Sequence, residues 1–150
     1  MKKIVILITL TISTLSVFSQ SIFNKKANKG YKISGEVIGL QDSTVMLAYY
    51  FGGKQYATDT ANVTNGKFTF EGAKRLKGGM YLVILSNNQY FEIIISEQTF
   101  SFYTELNNLI EAMSFKNSTE NPPFYEYLNF ITKMQKQVTP IRQQLDAATG

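Results

Sequence analysis

The 150-residue chain contains neither cysteine nor histidine. Cysteine would supply a thiolate nucleophile or a redox pair, and histidine the usual general base near neutral pH and the commonest metal ligand. Serines and threonines are present, but no histidine stands by to activate one. Glu92, Glu97 and Glu105 fall on or beside neighbouring extended segments and could form a carboxylate pair. Outward-facing charges on alternating strand positions explain them more simply. No acidic cluster has metal-ligand spacing, and Gly52-Gly53 and Gly78-Gly79 read as turns without a phosphate-loop signature. Lys74, Arg75 and Lys77 form a basic loop that could hold an anion or simply be solvated. Four aromatics, Tyr49, Tyr50, Phe51 and Tyr56, gather around one hairpin. Exposed rings of this kind stack on sugars or anchor peptides, and buried ones are ordinary packing. The expectation is therefore no catalytic residue, no metal and no cofactor, with Tyr49, Tyr50, Phe51 and Tyr56 as candidate binding residues.

The elements around these residues begin with an export signal. MKKIVILITLTISTLSVFSQ opens on Lys2 and Lys3, continues with an uncharged apolar run from Ile4 to Phe18, and ends with small residues suited to a cleavage site. The run is shorter than the roughly 20 apolar residues of a membrane span. Cleavage is expected between Ser19 and Gln20, which places the protein in the periplasm or cell envelope with no membrane span left. Loss of Lys2 and Lys3 leaves 13 basic against 11 acidic residues, a net charge of +2. That is too little for an electrostatic nucleic-acid binder. An exported chain without cysteine has no disulfide, so its core must hold it.

Residues 20–30, QSIFNKKANKG, are polar and basic and read as a flexible leader. From Tyr31 the pattern has a period of two. Tyr31, Ile33 and Val37 alternate with Lys32, Ser34 and Glu36, as in a half-buried strand. TVMLAYYF is apolar on both faces, as in a central strand. KQYATDTANV and KFTFEG flank Asn65-Gly66, a pair suited to the positive φ angles of a two-residue hairpin turn. MYLVILS, QYFEIIIS and QTFSFYTEL follow, and NLIEAMSFKN reads as a weaker last strand over 108–117. About eight short strands with regular turns predict a mainly β fold over 31–117, an antiparallel β-sandwich or open barrel.

At Asn121 the period changes. Pro122 and Pro123 suit a helix start. Phe124, Leu128, Ile131, Met134, Val138, Ile141 and Leu145 then form an amphipathic stripe. Thr139-Pro140 predicts a kink or break, because Pro140 removes a backbone donor, or else a new helix capped by Thr139. The stripe still runs at Leu145, so 121–150 reads as a helical segment leading towards a further C-terminal domain. The same stripe invites self-association.

The order of these pieces resembles a known family. The signal peptide is followed by GYKISGEVIGLQDSTVMLAYY, then DTANVTNGKFTFEG, then GMYLVIL, then a helix opening NPPFYEYLNF. This is similar to the domain of unknown function found at the N-terminus of Bacteroidetes envelope proteins, where it usually precedes a thioredoxin-like domain of the thiol-disulfide oxidoreductase or peroxiredoxin type. The resemblance runs over residues 30–145. It implies a non-catalytic accessory role beside a redox domain, whose Cys-x-x-Cys does the chemistry, with that domain or another protein as partner. No catalytic residue carries over to a chain without cysteine. The rival expectation is a stand-alone periplasmic module that binds a glycan or peptide through its exposed aromatics.

Overall fold

The alternation in Tyr31–Ile38 becomes strand β1, with Ile33, Gly35 and Val37 buried and Lys32 and Ile38 exposed. Seven strands follow: β2 (Thr44–Phe51), β3 (Lys54–Asn62), β4 (Lys67–Gly72), β5 (Gly79–Ile84), β6 (Tyr90–Ile95), β7 (Thr99–Glu105) and β8 (Ser114–Lys116). Helix α1 (Asn121–Thr149) ends the order. The computed structural model describes residues 30–149, so the expected signal peptide and the leader as far as residue 29 lie outside the described residues.

The strands make two four-stranded sheets, in the orders β4-β1-β7-β8 and β3-β2-β5-β6. Their inward faces share one core, so the molecule is a sandwich, with no closed barrel among the described residues. Aromatic rings carry the contact between layers. Phe68 lies edge-on to Phe70 at 5.4 Å and to Phe102 at 5.9 Å, and Phe102 meets Phe91 of the opposite sheet at 5.4 Å. Burying each such ring is worth roughly 1.5–3 kcal/mol. Gly35 makes room for this cluster, since a Cβ there would lie 2.5 Å from the Phe102 ring and 2.6 Å from the Phe68 ring.

Three features depart from the local pattern. Asn65 and Gly66 do form the expected turn, with φ of 52° and 75°. Only Thr64 and Lys67 pair across it, however, and β4 then pairs with β1 while β3 pairs with β2. The turn is a corner between sheets. It is anchored by Asp42, whose Oδ1 accepts from the Asn65 amide at 2.8 Å, and by the Gly66 carbonyl, which accepts from Val37 N at 2.8 Å. Next, β1 pairs with β7 in parallel, whereas every other ladder between strands is antiparallel. The chain builds the second sheet between these two strands, and that long excursion is the crossover a parallel pair requires. Lastly, the expected strand over 108–117 shrinks to Ser114–Lys116, because the residues before it fold into turns.

Helix α1 passes through Pro140 without interruption. Thr139 does not start a new helix. Its hydroxyl donates to the Gln135 carbonyl at 2.8 Å, one turn back within the same helix.

Candidate functional site

The four candidate aromatics lie on the β2–β3 hairpin, which turns at Gly52-Gly53 with φ of 57° and 76°. Strand alternation divides them. Tyr49 faces the core side, is half-buried, stacks on Tyr56 at 5.6 Å and touches Tyr81 at 5.7 Å. Phe51 shares that side two residues on, at the hairpin tip, and is 71% exposed. Tyr50 points to the opposite face, where its hydroxyl accepts from Gln55 Nε2 at 2.6 Å. Tyr50 is 56% and Tyr56 42% exposed. The hairpin therefore presents rings on both sides rather than one contiguous aromatic platform.

The two outer faces of the sandwich differ in character. The β4-β1-β7-β8 face carries Ser34, Glu36, Lys67, Thr69, Ser101 and Lys116, which line an open depression. Ser34 and Thr69 hydroxyls lie 3.1 Å apart, and Lys67 pairs with Glu36 at 3.5 Å. The face is mainly polar, with Tyr103 also in the depression and exposed Ile38 at the end of β1. The other outer face is largely apolar across β2, β5 and β6, while β3 sets Thr60 beside Met46 and Gln55 beside Tyr50. Cross-strand rows place Met46 beside Ile84 and Ile84 beside Tyr90; Ala48 beside Leu82 and Leu82 beside Glu92; and Met80 beside Ile94. Ala48 and Leu82 at its centre are buried, yet neither belongs to the core between the sheets. Met80 is 47% and Tyr90 60% exposed. Glu92 is the charged residue of these rows and is half-buried. Exposed Met46, Met80 and Tyr90 thus surround a buried centre on this face.

Helix α1 seats on the edge of the sandwich. The Asn121 side chain is fully buried. Its Oδ1 accepts from Ile94 N and its Nδ2 donates to Ile94 O, both at 2.7 Å. The carboxamide thus pairs with the free edge of β6 as a neighbouring strand would. One turn later the Tyr125 hydroxyl donates to the Glu92 carbonyl at 2.8 Å, and its ring packs on Phe115 of β8 at 5.2 Å. Burial, with the Glu92 carboxylate nearby, holds the Tyr125 hydroxyl protonated well above the usual tyrosine range. At the entrance to the helix, Glu97 accepts from Ser96, Ser118 and Thr119. Hydrogen bonds from the Ser96 and Thr119 hydroxyls bring its pKa down to about 2.

Other residues serve structure. Gln98 clamps the basic loop, with Leu76 N donating to Oε1 at 2.7 Å and Nε2 donating to Leu76 O at 3.2 Å. Lys74, Arg75 and Lys77 stay exposed around it. Tyr31 of β1 donates to Asp59 of β3 at 2.7 Å and so ties one sheet to the other. Desolvation, followed by that hydrogen bond, raises the Tyr31 pKa far above its ordinary value. Glu92, Glu97 and Glu105 are not drawn into a shared site: Glu97 binds the loop before the helix, Glu92 lies on the apolar sheet face and Glu105 ends β7. No group of three acidic, histidine or cysteine residues that could hold a metal occurs among the described residues. The sequence reading missed Asn121, Tyr125, Gln98 and Asp59. Asn-Pro-Pro does signal a helix start, but nothing local to Asn121 points to Ile94 as its partner.

The chain belongs to the family described as a domain of unknown function (DUF4369), whose model matches residues 31–124. The match opens with the first residue of β1 and closes in the first turn of α1. It thus ends before the 145 to which the sequence motifs extend, and most of the helix lies beyond it. No curated protein and no solved structure matches the chain.

Proposed function

We propose that this chain is a non-catalytic accessory domain of an exported thioredoxin-like thiol-disulfide oxidoreductase of the Bacteroidetes envelope, and that it positions a client or partner beside the redox domain. The observation that carries this reading is the asymmetry of the sandwich. One outer face is mainly polar, while the other is apolar across β2, β5 and β6, with Met46, Met80 and Tyr90 exposed around buried Ala48 and Leu82. A catalytic domain would gather titratable groups in a cleft; here the exposed Met46, Met80 and Tyr90 offer apolar contacts suited to docking. The apolar run at 4–18 supports export, with cleavage near Ser19. The thiol chemistry belongs to a Cys-x-x-Cys in the following domain, where a lowered thiol pKa makes the nucleophile.

The test is the size and thiol content of the native product in an envelope fraction, detected with an antibody against the β domain. A species much larger than this chain that reacts with thiol reagents agrees with the proposal. A species of this chain's size, free of thiols, contradicts it. The second reading, a stand-alone module for a glycan or peptide, is favoured by the exposure of Phe51, Tyr50 and Tyr56 at the hairpin. It requires that Phe51→Ala abolish binding to an envelope glycan or peptide while leaving the melting temperature unchanged.

A further inference from the structure

Among the described residues the two open sheets have four edge strands, β4 and β8 in one and β3 and β6 in the other. An edge strand presents unpaired amides and carbonyls to any other strand, and natural sheets blunt it with charge, a bulge or shortness. Three of the edges carry such devices in their own sequence. β4 places Lys67 and Glu71 among its six residues. β8 has three residues, the last of them Lys116. β3 begins at Lys54, and its register slips opposite Leu47 and Ala48, where Thr58 falls between the paired Ala57 and Asp59. β6 has none of these devices. It reads YFEIII, keeps a regular register with β5, and is apolar on both faces apart from half-buried Glu92. Six residues of high β-propensity, with one charge and neither proline nor glycine, are the signature of a segment that pairs with copies of itself when its edge is open.

Helix α1 supplies what β6 lacks. The Leu85 amide donates to the Gln89 carbonyl at 2.8 Å, and the antiparallel alternation that follows from this bond turns the amides and carbonyls of Tyr90, Glu92 and Ile94 to the free edge. Asn121 takes both groups of Ile94, and the Tyr125 hydroxyl takes the Glu92 carbonyl. An incoming strand needs those same groups for its ladder. We infer that Asn121 and Tyr125 are an edge guard, which keeps β6 from pairing with β6 of a second copy of this chain. Without the guard, two β6 strands would meet antiparallel with Glu92 across from Ile94. That register sets free-edge residues opposite one another and keeps the two carboxylates from facing each other. Two four-stranded sheets would then join as one.

The test opens the edge and leaves the rest of the chain in place. Asn121→Ala combined with Tyr125→Phe removes all three hydrogen bonds and keeps a ring against Phe115. Sedimentation equilibrium on the full chain is expected to give this double variant at least twice the mass of the native protein at the same micromolar concentration. Gly35→Ala disturbs the core and not this edge. It is expected to keep the native mass, which separates an opened edge from a mere loss of stability. Adding Ile94→Lys to the double variant puts a charge on the outer face of the opened strand and is expected to restore the native mass. A double variant that is folded by circular dichroism and keeps the native mass would overturn the inference. Equal association by Gly35→Ala would do the same, as would association that survives Ile94→Lys, since the contact would then lie elsewhere. Where the double variant does not fold, Asn121→Ala alone is read against the same outcomes.

Discussion

Asn121 shows how much a single side chain can decide in this fold. Its carboxamide satisfies both the amide and the carbonyl of Ile94 on an otherwise open strand edge. Asn121→Ala would leave two backbone groups unpaired, at roughly 1–3 kcal/mol for each group that water does not reach. Tyr125→Phe removes one hydrogen bond while keeping the ring on Phe115, so its cost is smaller, about 0.5–1.5 kcal/mol. Urea unfolding of both variants checks this order, and an Asn121→Ala protein as stable as the native one would contradict it. Glu97 gives a pH signature. Its folded pKa of about 2 lies below its ordinary 4.5, so its contribution is present above about 4.5 and is lost as pH falls towards 2. Stability measured from pH 5 to pH 2 is expected to fall, and Glu97→Gln is expected to flatten part of that fall. At this scale the sequence shows that Asn121 begins a helix. It does not show the partner, because Ile94 lies 27 residues away and no periodicity links the two.

At the scale of elements, strand positions were largely legible because half-burial imposes alternation, as in Tyr31–Ile38 and Lys67–Gly72. Partnership was not. Asn65-Gly66 has the composition of a hairpin turn and the φ angles of one, yet it joins strands of different sheets. Turn chemistry fixes the local reversal, while the core decides which ladder each strand joins. The parallel neighbours β1 and β7 were likewise invisible to local patterns, since long-range burial brings them together. Gly35 sits where these choices meet, under the rings of Phe68 and Phe102. Gly35→Ala is expected to overpack that point and cost roughly 1–3 kcal/mol. A thermal melt equal to the native one would mean that the rings yield freely. Pro140 was legible as a residue foreign to a helix interior, but the helix continues through it.

For the whole molecule, the informative feature is the contrast between a polar outer face and an apolar one. The sequence announced part of it, since TVMLAYYF is apolar on both sides as a central strand would be. That Met80 and Tyr90 on the outer side stay exposed is a property of the assembled sheet, and α1 meets the sandwich at the β6 and β8 edges. The aromatic hairpin was legible as a cluster, whereas its division between faces follows only once the register pairs Tyr49 with Tyr56 and Tyr50 with Gln55. The proposed docking role rests on the apolar face, and one measurement tests it most directly. A photoreactive residue is placed at Met80, and separately at Tyr103 on the polar face, and the native envelope protein is irradiated. The account predicts that position 80 crosslinks to a segment holding a Cys-x-x-Cys, in the same chain or another, and that position 103 does not. No crosslink from position 80, or the same product from both positions, would contradict it.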